Sequence, residues 1–596
     1  MTLAQTNAFE PPSRGDAVLF ELKASVFRLE RLFRDALTGP KRLAKGDPAE
    51  FGYVVAQSRT PLWAEVPAAE RTLQRGKVQN LRLAARQLDG TLLMPGAIFS
   101  FWKQLGRASA MRGFARGRML KEGCIVPATG GGLCQLSNAL YDVALKANLE
   151  VLERHAHSRR VPGSQAMQGR DATVAWNYVD LRFRSRVPML LRVRLDTGDL
   201  IVELLGQTSQ DAHEFAPLPD TRRDAQSCEG CDQTSCFRHG VAATEGKRAV
   251  LVDEYWPEFD AFVSGDLLCL PMKGRPQYGW TTQKFEAVKA ATLTTLRRSF
   301  AMRRVENGSR RRALELATSE YLARRYAKHL DADVTEIVIA QSLLPTLWRD
   351  GHLGGRKFSV LMTRLPMRVL QERLDAVSRR HPERATLKDF RADPALLRAE
   401  EDALAAASAI VTPHADIAAF FDDRAIVLDW KTPSTRFKHA PGSRRIAFPG
   451  PTIARKGAYE LREAARALDL EVVLLGSDLE GADFWKGLRT SRDLGNGVTA
   501  FVQPAFLEDE PRKLLAALAS GIPVISTAAC GLRPQPGLTL VPAGDVDALI
   551  AALEQFQLGA FPYTVMAALE AAIQLPSSLA RARWMAASRA AMTDWN

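Results

Sequence analysis

A chain of 596 residues with 46% hydrophobic and 25% charged side chains predicts several folded domains with sizeable cores, and excludes a disordered or fibrous polymer. The net charge of +13 suits an anionic partner such as a sugar nucleotide, an acidic polymer or an anionic surface. No zinc-finger array, RNP motif or concentrated basic tail is found, so no nucleic-acid partner is expected.

The first 60 residues carry Leu19, Leu22, Val26, Leu29 and Leu32 at helical spacing with arginines between, an amphipathic helix expected to dock on the adjoining domain. Nothing in Met1 to Asp16 has the basic-then-apolar order of a signal peptide, and no run of 18 apolar residues marks a membrane span. Seven cysteines do not form a disulfide framework. The compartment expected is the cytoplasm, with peripheral association at an anionic membrane compatible with the charge.

Residues 71 to 88 predict a second helix ending at Asp89-Gly90, followed by a turn at Pro95-Gly96 and an aromatic strand through Phe99, Phe101 and Trp102. Gly130-Gly131-Gly132 then precedes Leu133, Leu136, Leu140, Val143 and Ala147, the stripe of a buried helix. Cys134 falls in the first turn of that helix, where unpaired N–H groups and the helix dipole favour a thiolate. Residues 149 to 161 switch to a period near two, which predicts a strand with Glu153, His155 and His157 on one face. Strand-like runs occupy 171–184, 189–195 and 200–205.

A cysteine at a helix start, histidines beyond it and then an acid is the order of cysteine–histidine–acid nucleophilic catalysis. The expected set is Cys134 as nucleophile, His155 or His157 as base, and Asp171 or Asp180 as orienting acid. Gln135 and the glycine-loop amides are expected to hold an oxyanion. The competing reading is a small buried cysteine, with histidines that merely satisfy the core.

The stretches PGAIFSFWKQLG, GGGLCQLSNALY, LEVLERHAHS and GRDATVAWNYVDLRF occur in the order and spacing of the VanW domain, and the segment from about Pro61 to Gly206 resembles that family. The resemblance implies a domain of the bacterial cell-envelope world and brings no settled reaction with it.

Cys228, Cys231, Cys236 and His239 spell C-x2-C-x4-C-x2-H, two chelating pairs suited to a tetrahedral ion. A structural zinc clip is expected; an iron–sulfur cluster on the three cysteines, with His239 as fourth ligand or bystander, is the alternative.

From about Lys247 short apolar strands alternate with long helices. Strands are expected at 249–252, 267–270, 336–340, 358–362 and 409–412, then in a second block at 445–449, 471–476, 498–502 and 524–527. This layout resembles a GT-B glycosyltransferase, most closely through RRIAFPGPTIARKGAYELREAARALDLEVVLLG, EDEPRKLLAALASGIPVISTAACGL and SAIVTPHADI. The resemblance implies a nucleotide-sugar donor held by Gly450, Arg455, Lys456, Gly476 and Glu508. Two positions depart from the pattern: Pro451 follows Gly450 where the family has arginine, and Ala516 replaces its second glutamate.

The expected fold is multidomain: a helical segment at 1–60, an α+β VanW-like domain at 61–208, a metal clip at 209–245, and GT-B-like Rossmann domains at 246–412 and 413–596. The function expected is a retaining-type glycosyltransferase acting on a glycan or cell-envelope precursor, with the VanW-like part accessory. The alternatives are a non-catalytic sugar-nucleotide or glycan binder, and a Cys134-dependent hydrolase or transferase.

Overall fold

The computed structural model describes residues 13–66, 68–121, 124–159, 169–209, 222, 224–227, 244–305, 308–389 and 391–557. The chain divides into two compact units, the first built from Met1–Arg248 with Lys328–Glu336 and Trp348–Lys357, the second from the rest. Among the described residues, no helix is long and apolar enough to cross a membrane.

The first unit opens with α1 (Arg14–Thr38), its start fixed by a capping box in which Ser13 and Asp16 bond each other's backbone. β1 (Tyr53–Pro61), α2 (Ala68–Leu88), β2 (Thr91–Leu93), β3 (Ile98–Ser100) and α3 (Phe101–Leu105) come next. Phe101 and Trp102, expected in a strand, begin α3 instead, because the Ser100 hydroxyl accepts the Lys103 amide and caps a helix there. The unit continues with β4 (Arg116–Lys121), β5 (Cys124–Thr129), α4 (Leu133–Lys146), β6 (Glu150–Glu153), β7 (Arg182–Arg184), β8 (Met189–Leu195), β9 (Asp199–Gly206) and β10 (Gln226–Ser227). The expected strands at 149–161 and 171–184 shrink to β6 and β7, so the chain between them is free to carry side chains into a site.

The β8–β9 hairpin turns at Asp196, whose carboxylate accepts the amides of Gly198 and Asp199. With β1 and β2 it makes an antiparallel sheet of order β1-β9-β8-β2. α2 and α4 lie on this sheet: Leu81 and Leu88 of α2 and Leu136, Leu140 and Val143 of α4 join Val193, Val202 and Leu204 in one buried core. Each such side chain contributes about 1.5–3 kcal/mol by leaving water.

Two parallel sheets follow, most of their residues belonging to the second unit. The first comprises β11 (Lys247–Leu251), β12 (Gly265–Leu270), β13 (Phe285–Ala290), β14 (Val334–Ala340), β15 (Lys357–Leu361), β16 (Ala409–Thr412) and β17 (Ala425–Val427), in the order β13-β12-β11-β14-β15-β16-β17. The second comprises β18 (Arg445–Phe448), β19 (Glu471–Leu474), β20 (Thr490–Ser491), β21 (Ala500–Gln503), β22 (Val524–Ser526) and β23 (Leu538–Leu540), in the order β20-β19-β18-β21-β22-β23. Both orders run outward from the first strand and then reverse, the doubly wound pattern in which ligands bind where the order switches. This is the pair of Rossmann-type sheets expected of a GT-B fold. β13, β17 and β23 add edge strands that the apolar pattern did not mark, because edge strands need no continuous apolar run.

Candidate functional site

The glycine turn is required by close backbone packing. A Cβ on Gly131 would lie 2.3 Å from the Gly117 carbonyl oxygen. Gly132 has φ +94°, and a Cβ there would lie 2.1 Å from Lys77 Cγ. Asn80 of α2 clamps the same turn, its Nδ2 donating to the carbonyls of Ala115 (3.0 Å) and Gly131 (2.9 Å). Gly132 is the N-cap of α4, so Cys134 sits in the first turn, where the helix leaves its N–H groups without intrahelical partners.

Two polar residues on the next turn of α4 bring the rest of the site to the sulfur. Asn138 Oδ1 accepts the Ala172 amide at 2.8 Å, and Ser137 Oγ donates to the Ala172 carbonyl. Thr173 in turn donates its amide to the His155 carbonyl at 2.8 Å. These bonds tie the segment around Asp171 both to α4 and to the coil carrying His157.

The result is a chain of three groups. Cys134 Sγ meets the Thr173 hydroxyl at 3.7 Å, and the His157 ring and the Val174 amide act on the sulfur to favour its ionised form. His157 Nδ1 meets Asp171 Oδ1, and the His157 amide donates to Asp171 Oδ2 at 2.7 Å. This leaves Nε2 as the ring nitrogen available to the sulfur. His157 and Asp171 side chains are only 8% and 2% exposed, whereas Cys134 is partly open. Arg222 Nη1 donates to the His157 carbonyl at 2.7 Å and also to Asp171 Oδ2.

Charge stabilisation wins over burial throughout. Burial opposes ionisation of Cys134, yet the hydrogen bond and charge of His157 hold its thiol below the ordinary value. Burial likewise disfavours an imidazolium, yet bonds to Asp171 and Cys134 push His157 up to about 10. Burial would raise Asp171, but His157 and Arg222 keep it below the usual carboxylate range. The arrangement favours a thiolate on Cys134 and an imidazolium on His157, with the Asp171 carboxylate orienting the ring.

Not every expected member joins. His155 is half exposed and its Nε2 faces Glu153 at 3.3 Å, away from the sulfur. β6 ends at Glu153, so the two histidines lie in coil and share no strand face. Asp180 is occupied elsewhere: it accepts from Ser100 Oγ (2.6 Å), the Trp102 amide (3.1 Å) and Arg182 Nε (2.8 Å). Gln135 is not an oxyanion donor here, because its amide nitrogen is bonded to Thr60 Oγ1 and the Pro61 carbonyl, both at 2.9 Å. Cys228, Cys231, Cys236 and His239 lie outside the described residues. Among the described residues no group of three or more His, Cys, Asp or Glu could hold a metal ion.

A second cluster forms in the second unit at the switch point of its second sheet. Here the structure brings together all five residues expected at a donor site. The Gly450 carbonyl oxygen would lie 2.2 Å from a Cβ on Gly476, so the loops after β18 and β19 cross with no room for a side chain. Lys456 Nζ pairs with Glu508 Oε1 at 3.0 Å, and Gln503 at the end of β21 donates to the other carboxylate oxygen. The Arg455 carbonyl accepts the Phe506 amide at 3.0 Å, which fixes Arg455 beside the Glu508 loop. His414, from SAIVTPHADI, faces the Glu508 carbonyl through Nε2 at 2.8 Å, with Gly531 against its ring. Ala516 is buried on the helix Arg512–Ala519.

Sequence reasoning missed three groups. Arg222 stands alone in a polar stretch, with no spacing to flag it. Lys513 donates to the Pro449 carbonyl at 2.7 Å and the Leu475 carbonyl at 3.1 Å, capping β18 and β19. At the switch point of the first sheet, Glu400 accepts from Gln341 Nε2 at 3.1 Å and from the Met367 amide, and burial pushes it up to about 7. Only Ser137 and Asn138, polar residues inside an apolar helix stripe, carried a signal that could have been read.

Residues 76–205 match the family model described as "VanW like protein", so the first unit contains a VanW domain. Two curated relatives align with this region. The vancomycin B-type resistance protein VanW of Enterococcus faecalis (strain ATCC 700802 / V583) is 30% identical over 162 residues, 27% of this chain and 58% of that protein. The uncharacterized protein YoaR of Bacillus subtilis (strain 168) is 31% identical over 132 residues, 22% of this chain and 43% of that protein. The chain thus spans about half the length of the curated relatives it matches. Among solved structures, a sucrose-phosphate synthase from Thermosynechococcus elongatus is similar at 15% identity and TM-score 0.35, over 59% of this chain and 98% of that one. An α,α-trehalose-phosphate synthase (UDP-forming) from Burkholderia vietnamiensis is similar at 11% identity and TM-score 0.31, over 59% and 99%.

Proposed function

We propose that the VanW domain is a cysteine-dependent acyl-transfer enzyme with Cys134 as nucleophile, His157 as acid–base and Asp171 as its orienting carboxylate. The single observation that carries this is the Cys134–His157–Asp171 arrangement, with Cys134 partly exposed as a residue and the other two side chains buried. The thiolate attacks the carbonyl carbon of an amide or ester, and the carbonyl π pair moves to oxygen. The first-turn N–H groups of α4, which lack intrahelical partners, are the donors for that charge. Collapse expels the leaving amine or alcohol, which takes the His157 proton, and leaves a thioester on Cys134. Neutral His157 then removes a proton from water or an acceptor amine. That nucleophile attacks the thioester, and thiolate and imidazolium are regenerated.

The test is alkylation of Cys134 by iodoacetamide at neutral pH, read by mass spectrometry with Cys134→Ser as control. Fast, site-selective labelling that His157→Ala slows supports the reading; a sulfur no more reactive than a free thiol would sink it.

The second unit supports a second reading through one specific observation, the Lys456–Glu508 pair beside the Gly450–Gly476 crossing. We infer a nucleotide-sugar site there, with glycosyl transfer to a glycan or cell-envelope precursor as its reaction. Pro451 and Ala516 remove two polar contacts to a donor, each worth about 1.5–3 kcal/mol when charge-assisted. Binding without turnover is therefore the competing outcome. A panel of UDP-, GDP- and TDP-sugars, scored for nucleoside diphosphate release and for thermal shift, separates transfer from binding alone.

A further inference from the structure

Among the described residues, α1 is held to the first unit by one face. Ala24 is buried there, Phe27 stacks on Tyr178 at 6.1 Å, and Arg28 Nε donates to the Trp176 carbonyl at 2.9 Å. Arg31 pairs with Glu153, and Asp35 receives Arg182 at 2.6 Å. The leucine stripe that the sequence pattern assigned to the docked face points the other way. Leu19, Leu22, Val26, Leu29 and Phe33, with Val18, Leu32 and Leu37 along their edges, are between 51% and 85% exposed. A monomer leaves few contiguous apolar patches of this kind in water.

The spacing says what covers it. Leu19, Leu22, Val26, Leu29, Phe33 and Ala36 alternate intervals of three and four, the a/d seam by which one helix packs against another. The flanking e positions carry Lys23 and Glu30, opposite charges seven residues apart on one edge. Set against an identical helix running antiparallel, Val26 faces Leu29 of the other copy, Leu22 faces Phe33 and Leu19 faces Ala36. Every seam residue is then matched, and each Lys23 falls beside the other copy's Glu30. A parallel pair brings e against g instead, where Val18, Ser25 and Leu32 stand, and leaves the charges unmatched.

We propose that the exposed face of α1 is a self-association surface on which a second copy of this chain docks its own α1 antiparallel, in the register that sets Val26 against Leu29. The interface is that of a single helix pair, at the small end of specific interfaces, so the association is concentration-dependent.

Analytical ultracentrifugation of the full chain over a concentration series tests it. The wild type is expected to self-associate to a dimer, and Val26→Asp with Leu29→Asp to remain monomeric with unchanged circular dichroism. Lys23→Glu and Glu30→Lys are each expected to weaken the dimer about three- to tenfold by setting like charges together. The double charge swap restores it to within about twofold, because the pairs re-form with reversed sign. A wild type that stays monomeric overturns the proposal. So does a dimer that survives the two aspartates, or a swap that fails to restore. Binding of the monomer to phosphatidylglycerol vesicles without self-association would also overturn it, in favour of a membrane.

Discussion

Asp171 grips His157 twice, accepting its backbone amide at 2.7 Å on one carboxylate oxygen and its ring Nδ1 on the other. The double contact fixes both the rotamer and the tautomer of the imidazole, so that Nε2 is turned to Cys134. Asp171→Asn keeps the shape but removes the charge that favours the imidazolium. His157 should then lose its proton nearer neutrality and Cys134 should rise toward an ordinary thiol. Iodoacetamide labelling at pH 7 is expected to slow about tenfold for each unit the thiol rises.

The two histidines can be told apart. His157→Ala should cut Cys134 labelling at neutral pH by roughly tenfold or more, since the pair that holds the thiolate is gone. His155→Ala, at a half-exposed position beside Glu153, should leave the labelling rate within about twofold of wild type. Equal effects from both variants would mean that the sulfur responds to general positive charge.

The pH profile has a defined sense. The thiolate forms as pH rises through the lowered Cys134 value, and His157 keeps its proton up to about 10. Labelling should therefore begin at a lower pH than for a free cysteine and level off once Cys134 is ionised. Above about 10 the imidazolium is lost and the sulfur should behave as an unpaired thiolate. A rate that titrates as a single ordinary thiol, with no shoulder below about pH 8, would contradict this.

The glycine turn should be intolerant. Gly131→Ala would set a Cβ 2.3 Å from the Gly117 carbonyl, and backbone cannot yield there without opening the β4–β5 hairpin. Gly132→Ala adds a left-handed φ of +94° to a clash with Lys77. Each is expected to destabilise the first unit by about 1–3 kcal/mol, measured by urea unfolding, and to displace Cys134.

In the second unit, Glu258 is fully buried and is met by Arg512 through Nη1 and Nη2, both at 2.9 Å, and by the Lys431 amide at 3.0 Å. Arg512→Ala strands a buried carboxylate and should cost about 3–5 kcal/mol, whereas Glu258→Gln, which keeps the acceptor, should cost less. Lys456→Ala at the other cluster should lower nucleotide-sugar affinity and also the unfolding midpoint, because Glu508, only 10% exposed, keeps Gln503 but loses its cation.

Much of the architecture was legible because burial imposes periodicity. The apolar stripe of α4, the hairpin at Asp196 and the short apolar runs of both parallel sheets arise from 3.6- and two-residue repeats that any chain must obey to hide its core. Cys134 was legible for the same reason, since a glycine run before an apolar stripe marks a helix start. The choice of His157 over His155, and of Asp171 over Asp180, was not legible. Those pairs differ only in which coil residue the Asn138 and Thr173 bonds pull toward α4, and such bonds join residues far apart in the chain. The exposed side of α1 was misassigned for a related reason: an apolar stripe says that a face seeks cover, not which surface supplies it.

By itself the sequence determined the two doubly wound sheets, the VanW segment and the cysteine at a helix start, since local repeats and motif order encode them. Only the tertiary structure decided that His157 is set beside that cysteine with Asp171 and Arg222 behind it, that Gln135 and Asp180 are engaged elsewhere, and that Lys456 meets Glu508. Hydrogen bonds between distant segments select those partners, and their geometry exists only once the cores have packed.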